Sequence, residues 1–334
     1  IFNNTGNITL ATNTNYQVQS TVCNALRVKS GSITIDNTKY DIVGARQEKG
    51  YPTETISDSS AFTPDLLNGY TVDETTTLFK TITITPAAAK DSTIRYNGTT
   101  LKQGETITGE NGGTATGDSK NNTITLDNFK GNYPLEFNAE FTPNSIILIG
   151  DSTLSEVETK YQNLTISGSG SLTVGSIKVH NQKASSDDKP NLTINGATVT
   201  VGTAELTTRA IDIDGDLTVT NGSLTATSAS NNVPTVQVGG NASFTGSTVT
   251  ITNNSTTQGE QYKDSNAASS ALHVNGAVTI SGGTLTAEAK AGGNAIRAVG
   301  NITVSNDATV TAKNNSQYFN AITAGQASGG VVNN

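Results

Sequence analysis

From about Asn122 onward the apolar residues fall on alternate positions in short bursts, and the bursts recur in a fixed order. One recurring element reads Leu164-Thr-Ile-Ser, Leu192-Thr-Ile-Asn, Leu217-Thr-Val-Thr, Ala242-Ser-Phe-Thr, Val278-Thr-Ile-Ser and Ile302-Thr-Val-Ser. A second follows seven or eight residues later: Leu172-Thr-Val, Val199-Thr-Val, Leu224-Thr-Ala, Val249-Thr-Ile, Leu285-Thr-Ala and Val310-Thr-Ala. A third precedes the first in the later units, as Ala210-Ile-Asp-Ile, Thr235-Val-Gln-Val, Ala271-Leu-His-Val, Ala295-Ile-Arg-Ala and Ala321-Ile-Thr-Ala. Gly215, Gly240, Gly276 and Gly300 follow the third element at intervals of 25, 36 and 24 residues.

Three short strands and three turns in about 25 residues describe one coil of a solenoid. Such a coil cannot bury its inward Leu, Val and Ile by itself. Stacking on a neighbour covers them and pairs the backbone hydrogen bonds. The expectation is therefore an all-β chain, a right-handed parallel β-helix with an additional N-terminal β region. Roughly eight coils over 121–334, each advancing about 4.8 Å, make a rod on the order of 40 Å long. The corner glycines are expected where the chain turns with positive φ. An antiparallel β-sandwich is the rival, with Asn195-Gly196 and Asn221-Gly222 as hairpin turns. The unchanged order of three elements in successive units favours the solenoid.

Residues 1–120 lack this repeat. Strand signals at Asn7–Leu10, Ala25–Val28 and Ser32–Ile35 mark an N-terminal β segment over 1–70, ending in the loop 49–67. A small β unit over 71–120 is expected from Leu78–Ile84, Thr93–Tyr96 and Glu105–Ile107. Helical turns are expected only at Ala87–Lys90 and Leu154–Tyr161. Cys23 is single and reads as a small buried or half-buried apolar residue. The chain opens on Ile1 rather than Met, which suggests a processed piece lacking its targeting signal.

Composition narrows the partners. Twenty basic against 28 acidic residues, with no basic run, argue against nucleic acid and anionic membranes. No apolar run approaches ~18 residues, so no membrane-spanning helix is expected. The polarity comes from Ser, Asn, Gly and 55 threonines rather than charge.

Candidate chemistry sits in three places. The connections after the second element vary greatly in length, and solenoids commonly bind through loops gathered on one edge. These connections are 175–190 with Lys183, Asp187, Asp188 and Lys189; 227–234; 252–270 with Tyr262, Lys263 and Asp264; and 313–320 with Tyr318. Threonines also recur at outward positions, Thr165 to Thr303 in the first element and Thr173 to Thr311 in the second, which raises ice binding as an alternative. Finally, Asp212, Asp214 and Asp216 cluster in Ile-Asp-Ile-Asp-Gly-Asp, and such oxygens suit Ca²⁺. Catalysis is poorly supported. His180 and His273 are the only histidines, and only the three aspartates with Arg209 and Arg297 offer charged groups to a groove.

The run Asn122–Val174 contains Ile-Thr-Leu-Asp-Asn-Phe-Lys-Gly, then Ile146-Ile-Leu-Ile-Gly-Asp-Ser-Thr-Leu, then Asn163-Leu-Thr-Ile-Ser-Gly-Ser-Gly-Ser-Leu-Thr-Val. Over about 122–334 it resembles the β-helix surface proteins secreted by Gram-positive bacteria, a carbohydrate-binding, adhesin-like group. The resemblance implies an extracellular or cell-surface location and a polysaccharide or host-surface ligand, with calcium in some relatives. A non-enzymatic surface module is the preferred expectation. A fibre subunit associating end to end by strand donation is the first alternative, and a polysaccharide-active enzyme the second.

Overall fold

The computed structural model describes residues 94–325 except 120, 139–142, 183–188, 257–268 and 317–318, together with the backbone of eight strands between Phe2 and Pro86. Contacts divide the chain into Ile1–Lys90 and Asp91–Asn334. Cys23, the loop 49–67 and Ala87–Lys90 lie outside the described residues. In the first unit Leu78–Pro86 pairs antiparallel with both Tyr16–Gln19 and Tyr40–Gln47, and Glu54–Ile56 continues that sheet. Leu78–Pro86 thus shares a sheet with strands from the first 60 residues. The two-stranded pairs Phe2–Asn3 with Arg27–Val28 and Ile8–Thr9 with Ile33–Thr34 are parallel.

The second unit is all strand and turn among its described residues, and its pairing pattern is that of a β-solenoid. From Thr123–Asp127 onward each described strand pairs in parallel with the equivalent strand one coil on, not with the strand that follows it in sequence as a hairpin would. Three lines of strands result. The first line stacks Thr123–Asp127, Asn144–Leu148, Leu164–Gly168, Leu192–Asn195, Leu217–Thr220, the start of Ala242–Asn253, the start of Val278–Ala289, and Ile302–Ser305. The second line runs from Asp151–Leu154 through Ser171–Val174 and Thr198–Gly202 to Thr309–Asn314. The third starts at Pro134–Phe137 and ends at Ile322–Thr323.

The alternation sorts each strand into an inward and an outward set. On the first line Ile124, Ile146, Ile166, Ile194, Val219, Phe244 and Ile280 form one in-register column, all essentially without solvent contact. On the third line Leu135, Val157, Ile177, Ile211, Val236, Leu272 and Ile296 do the same. At roughly 1.5–3 kcal/mol for each such side chain buried, columns of this kind supply much of the gain that offsets ordering the backbone.

Two corner devices hold the coils in phase. Before four successive first-line strands, the preceding side chain accepts a hydrogen bond from the next coil's backbone. Asn163 Oδ1 accepts from Asn191 N at 2.8 Å, Asn191 Oδ1 from Asp216 N at 2.7 Å, Asp216 Oδ1 from Asn241 N at 2.6 Å, and Asn241 Oδ1 from Ala277 N at 2.9 Å. Beside this ladder the expected corner glycines stack through their backbones, Gly240 N donating to Gly215 O and Gly276 N to Gly240 O. Their φ is not positive, contrary to expectation. Close approach requires them instead: a Cβ on Gly240 would lie 2.1 Å from Asp216 Oδ1, and one on Gly276 would lie 2.4 Å from Asn241 Oδ1.

The two ends differ. At the N-terminal end, strands of opposite direction lie against the stack. Thr114–Asp118 pairs antiparallel with the first-line strand Thr123–Asp127, and Ile94–Tyr96 with Leu135–Phe137 of the third line. These pairings cross the boundary anticipated at 120/121. Leu101, Ala115, Phe129 and Phe137 are buried beneath this cap, and the Tyr96 and Phe129 rings meet edge-on at 5.3 Å. In the last described coil Val304 and Ile322 are 49% and 46% exposed, although they continue the two inward columns.

Candidate functional site

The outward positions of the three lines carry different chemistry. On the second line Thr153, Thr173, Thr200, Thr225, Thr250, Thr286 and Thr311 stand in register, as the recurring outward threonine predicts. The first-line threonines also stack, Thr165, Thr193, Thr218, Ser243, Thr279 and Thr303 in order. On the third line the same geometry presents Glu136, Glu158, Lys178, Asp212, Gln237, His273, Arg297 and Thr323. Only this column brings acids, bases and amides together.

Its first part is a lattice of ion pairs. Lys160 Nζ lies 3.7 Å from Glu136 and 3.9 Å from Glu158, and Lys178 Nζ lies 2.6 Å from Glu156. All of these groups keep a good share of solvent contact, so each pair contributes little to stability. Next comes a triad around Asp212. Arg209 donates from NH1 at 3.0 Å, and His180 Nε2 lies 3.5 Å away, both on Oδ2. Burial alone would raise the Asp212 carboxyl, but the His180 hydrogen bond and the Arg209 charge outweigh it and hold the group below its usual range. In return the bond to Asp212 raises His180 against its own burial.

At its centre lies an open groove of about 530 Å³, lined among others by Asn181, Lys189, Asp212, Asp214, Gln237, His273 and Asn275. The side chains come from successive coils, and most of them offer uncharged or hydrogen-bonding groups. His273 is nearly buried, and burial followed by the neighbouring Arg297 charge lowers it to about 4, while Asn275 opposes the shift. Burial likewise lowers Arg297.

The three aspartates singled out by the sequence do not meet at one point. Asp212 is engaged by Arg209 and His180, Asp214 Oδ2 accepts from Asn181 N at 2.8 Å, and Asp216 belongs to the corner ladder. Asp216 therefore stands where the neighbouring coils have Asn191 and Asn241. Among the described residues no group of three His, Cys, Asp or Glu side chains is placed to hold a metal ion.

Of the loop residues proposed as ligand contacts, Lys183, Asp187, Asp188, Tyr262, Lys263, Asp264 and Tyr318 lie outside the described residues. Asn181 and Lys189, which flank the first of these loops, both line the groove. That loop leaves from a different corner than expected. Ser171–Val179 is one continuous strand that carries the second line straight into the third, so residues 180–190 connect the third line to the first. The signal was present in Ser176-Ile-Lys-Val179, whose inward Ile177 and Val179 alternate with Lys178 but lack the preceding turn of later coils. Asp151–Thr159 turns the same corner as one strand, so Leu154–Thr159 is β rather than the start of a helical turn over Leu154–Tyr161.

The residues that sequence reasoning missed as a set are Gln237, Asn275 and His180. Gln237 shared the outward third-element position with Asp212 and His273, and the spacing alone contained that equivalence. No protein-family model, curated protein or solved structure matches this chain.

Proposed function

We propose that this chain is a non-enzymatic extracellular or cell-surface module, adhesin-like, that binds polysaccharide along the outer face of the third strand line. The observation that carries this reading is the groove, in which amide, carboxylate and imidazole groups from successive coils face one open trough. A polymer of hydroxyl-bearing rings needs many donors and acceptors spread along its length, and a stack of coils repeats them at one inter-strand spacing of about 4.8 Å. Asn181 and Lys189 also line that groove, and connections between strands are where solenoids commonly bind. We take the coils as right-handed, since crossovers between parallel strands of one sheet have that hand in about 98% of cases.

The test is a glycan array probed with purified protein, with and without a chelator. Binding that survives chelation is the expected result. Loss of binding on chelation restores calcium to Asp212, Asp214 and Asp216, and absence of binding to every glycan sinks the reading.

A second reading, a subunit of an extracellular fibre, is favoured by the exposed column ends Val304 and Ile322. An extended segment of another copy adding to this edge would pair its main chain and cover the two side chains. Electron microscopy across a concentration series checks it, and single rods at every concentration rule it out.

A further inference from the structure

We infer that His273, which lines the third-line groove, and Arg297, its in-register neighbour one coil on, form a subsite for the carboxylate of an acidic sugar at the edge of that groove. The inference rests on the polysaccharide-binding reading and names the class of residue that the groove selects.

The outward third-line positions Glu136, Glu158, Lys178, Asp212 and Gln237 are all partly solvated. At His273 and Arg297 the pattern changes, for these two are only 8% and 3% exposed, although they occupy the same outward position one and two coils beyond Gln237. Among the described residues Arg297 has no ion pair, and its Nε is shut from solvent without a hydrogen bond. His273 Nδ1 is in the same condition. The acids nearby are already engaged, Asp212 by Arg209 and His180, and Asp214 by the Asn181 amide.

A buried guanidinium without an anion carries a large desolvation penalty, and an unmade hydrogen bond on a buried nitrogen adds to it. Proteins seldom retain both side by side without a compensating partner. An incoming carboxylate supplies one. The guanidinium offers a planar fork of donors that matches the two carboxylate oxygens, and a neutral imidazole protonated on Nδ1 donates a further bond without adding charge. Lys189, Gln237 and Asn275 line the same groove as His273, so a sugar lying along it meets a cation and two amides besides the pair. A neutral sugar leaves the guanidinium unanswered, so the pair discriminates by charge.

The test compares glucuronate with glucose, which differ in the carboxylate, at fixed ionic strength, by calorimetry and thermal unfolding of the whole chain. Glucuronate is expected to bind and to raise the melting temperature, and glucose to do neither. Arg297→Gln is expected to weaken glucuronate binding about tenfold or more, the value of a charge-assisted hydrogen bond. Arg297→Lys, which keeps charge but loses the fork, falls between. Without ligand, Arg297→Gln melts no lower than the parent, because it removes an uncompensated charge. A lower melting temperature, or a glucuronate response unchanged in the variant, overturns the inference. An equal response to sodium phosphate means an adventitious ion only and overturns it as well. Array binding of neutral glycans with no glucuronate response defeats the subsite and leaves the broader function standing. An Arg297-dependent glucuronate response with an empty array does the reverse.

Discussion

The second and third strand lines present the same backbone to solvent and do opposite things with it. Seven threonines stand in register on the second line, one per coil. On the third line every coil from Glu158 to Thr323 places a different residue type at the equivalent position. Threonine is what a solvated strand surface favours, being β-branched with a hydroxyl that meets water. Its repetition is what folding of a solvated strand face produces by itself. The variety of the third line, at the price of two buried unpaired nitrogens, marks a face answering to something else.

That contrast can be broken most severely from inside. Phe244→Ala empties a buried position shared by both faces and is expected to cost about 3–5 kcal/mol, read as a lower denaturant midpoint. Gly240→Ala forces a Cβ against Asp216 Oδ1 and the Gly215 backbone and is expected to cost about 1–3 kcal/mol. Asn191→Ala removes the acceptor for Asp216 N and should cost about 1–2 kcal/mol in the same experiment.

The pH dependence separates the two columns further, since the threonine column of the second line holds no titratable group. His273 is lowered to about 4 by burial and the Arg297 charge, with Arg209 adding to the shift. The unfolded chain therefore binds a proton from about pH 6.5 downward that the folded chain refuses until about 4, so stability falls as pH drops through that window. His180 acts in the opposite sense. Its bond to Asp212 raises it, so its contribution is fully present below about pH 6.5 and is lost as pH rises through the folded value. Melting temperatures against pH should show His273→Gln flattening the acid limb and His180→Gln the limb above it. An unchanged acid limb in His273→Gln would count against the burial of a neutral imidazole.

The gentlest substitutions sharpen the comparison most. Thr225→Val on the second line and Gln237→Ala on the third should each alter stability by no more than about 0.5 kcal/mol. Polysaccharide affinity should fall only for Gln237→Ala. Equal effects on affinity would dissolve the distinction between the two columns.

Much of this was legible in the sequence because a period of two and a period near 25 are both written in residue types. The inward columns, the Thr173–Thr311 ladder and the equivalence of Asp212, His273 and Arg297 all follow from counting. What could not be counted was the cap, since antiparallel pairing of Thr114–Asp118 and Ile94–Tyr96 depends on partners that local pattern does not specify. The role of Asp216 was hidden for a related reason. Beside Asp212 and Asp214 it looks like one of three carboxylates, and only the coil above reveals it as a corner acceptor. The straight passage at Ser171–Val179 escaped notice because it lacks the turn residues that mark the same corner in later coils.

The corner ladder also solves a counting problem for the chain. Its successive links span 28, 25, 25 and 36 residues, yet each joins the same two points of adjacent coils. Every coil is in effect measured afresh from that corner, so an extra eleven residues between Asn241 and Ala277, relative to the coil before, shift nothing downstream. Length variation stays local, as an insertion between two marks on a ruler whose marks do not move. A molecule indexed in this way can acquire, trade or lose whole loops at its edge while the columns that carry its stability keep their alignment.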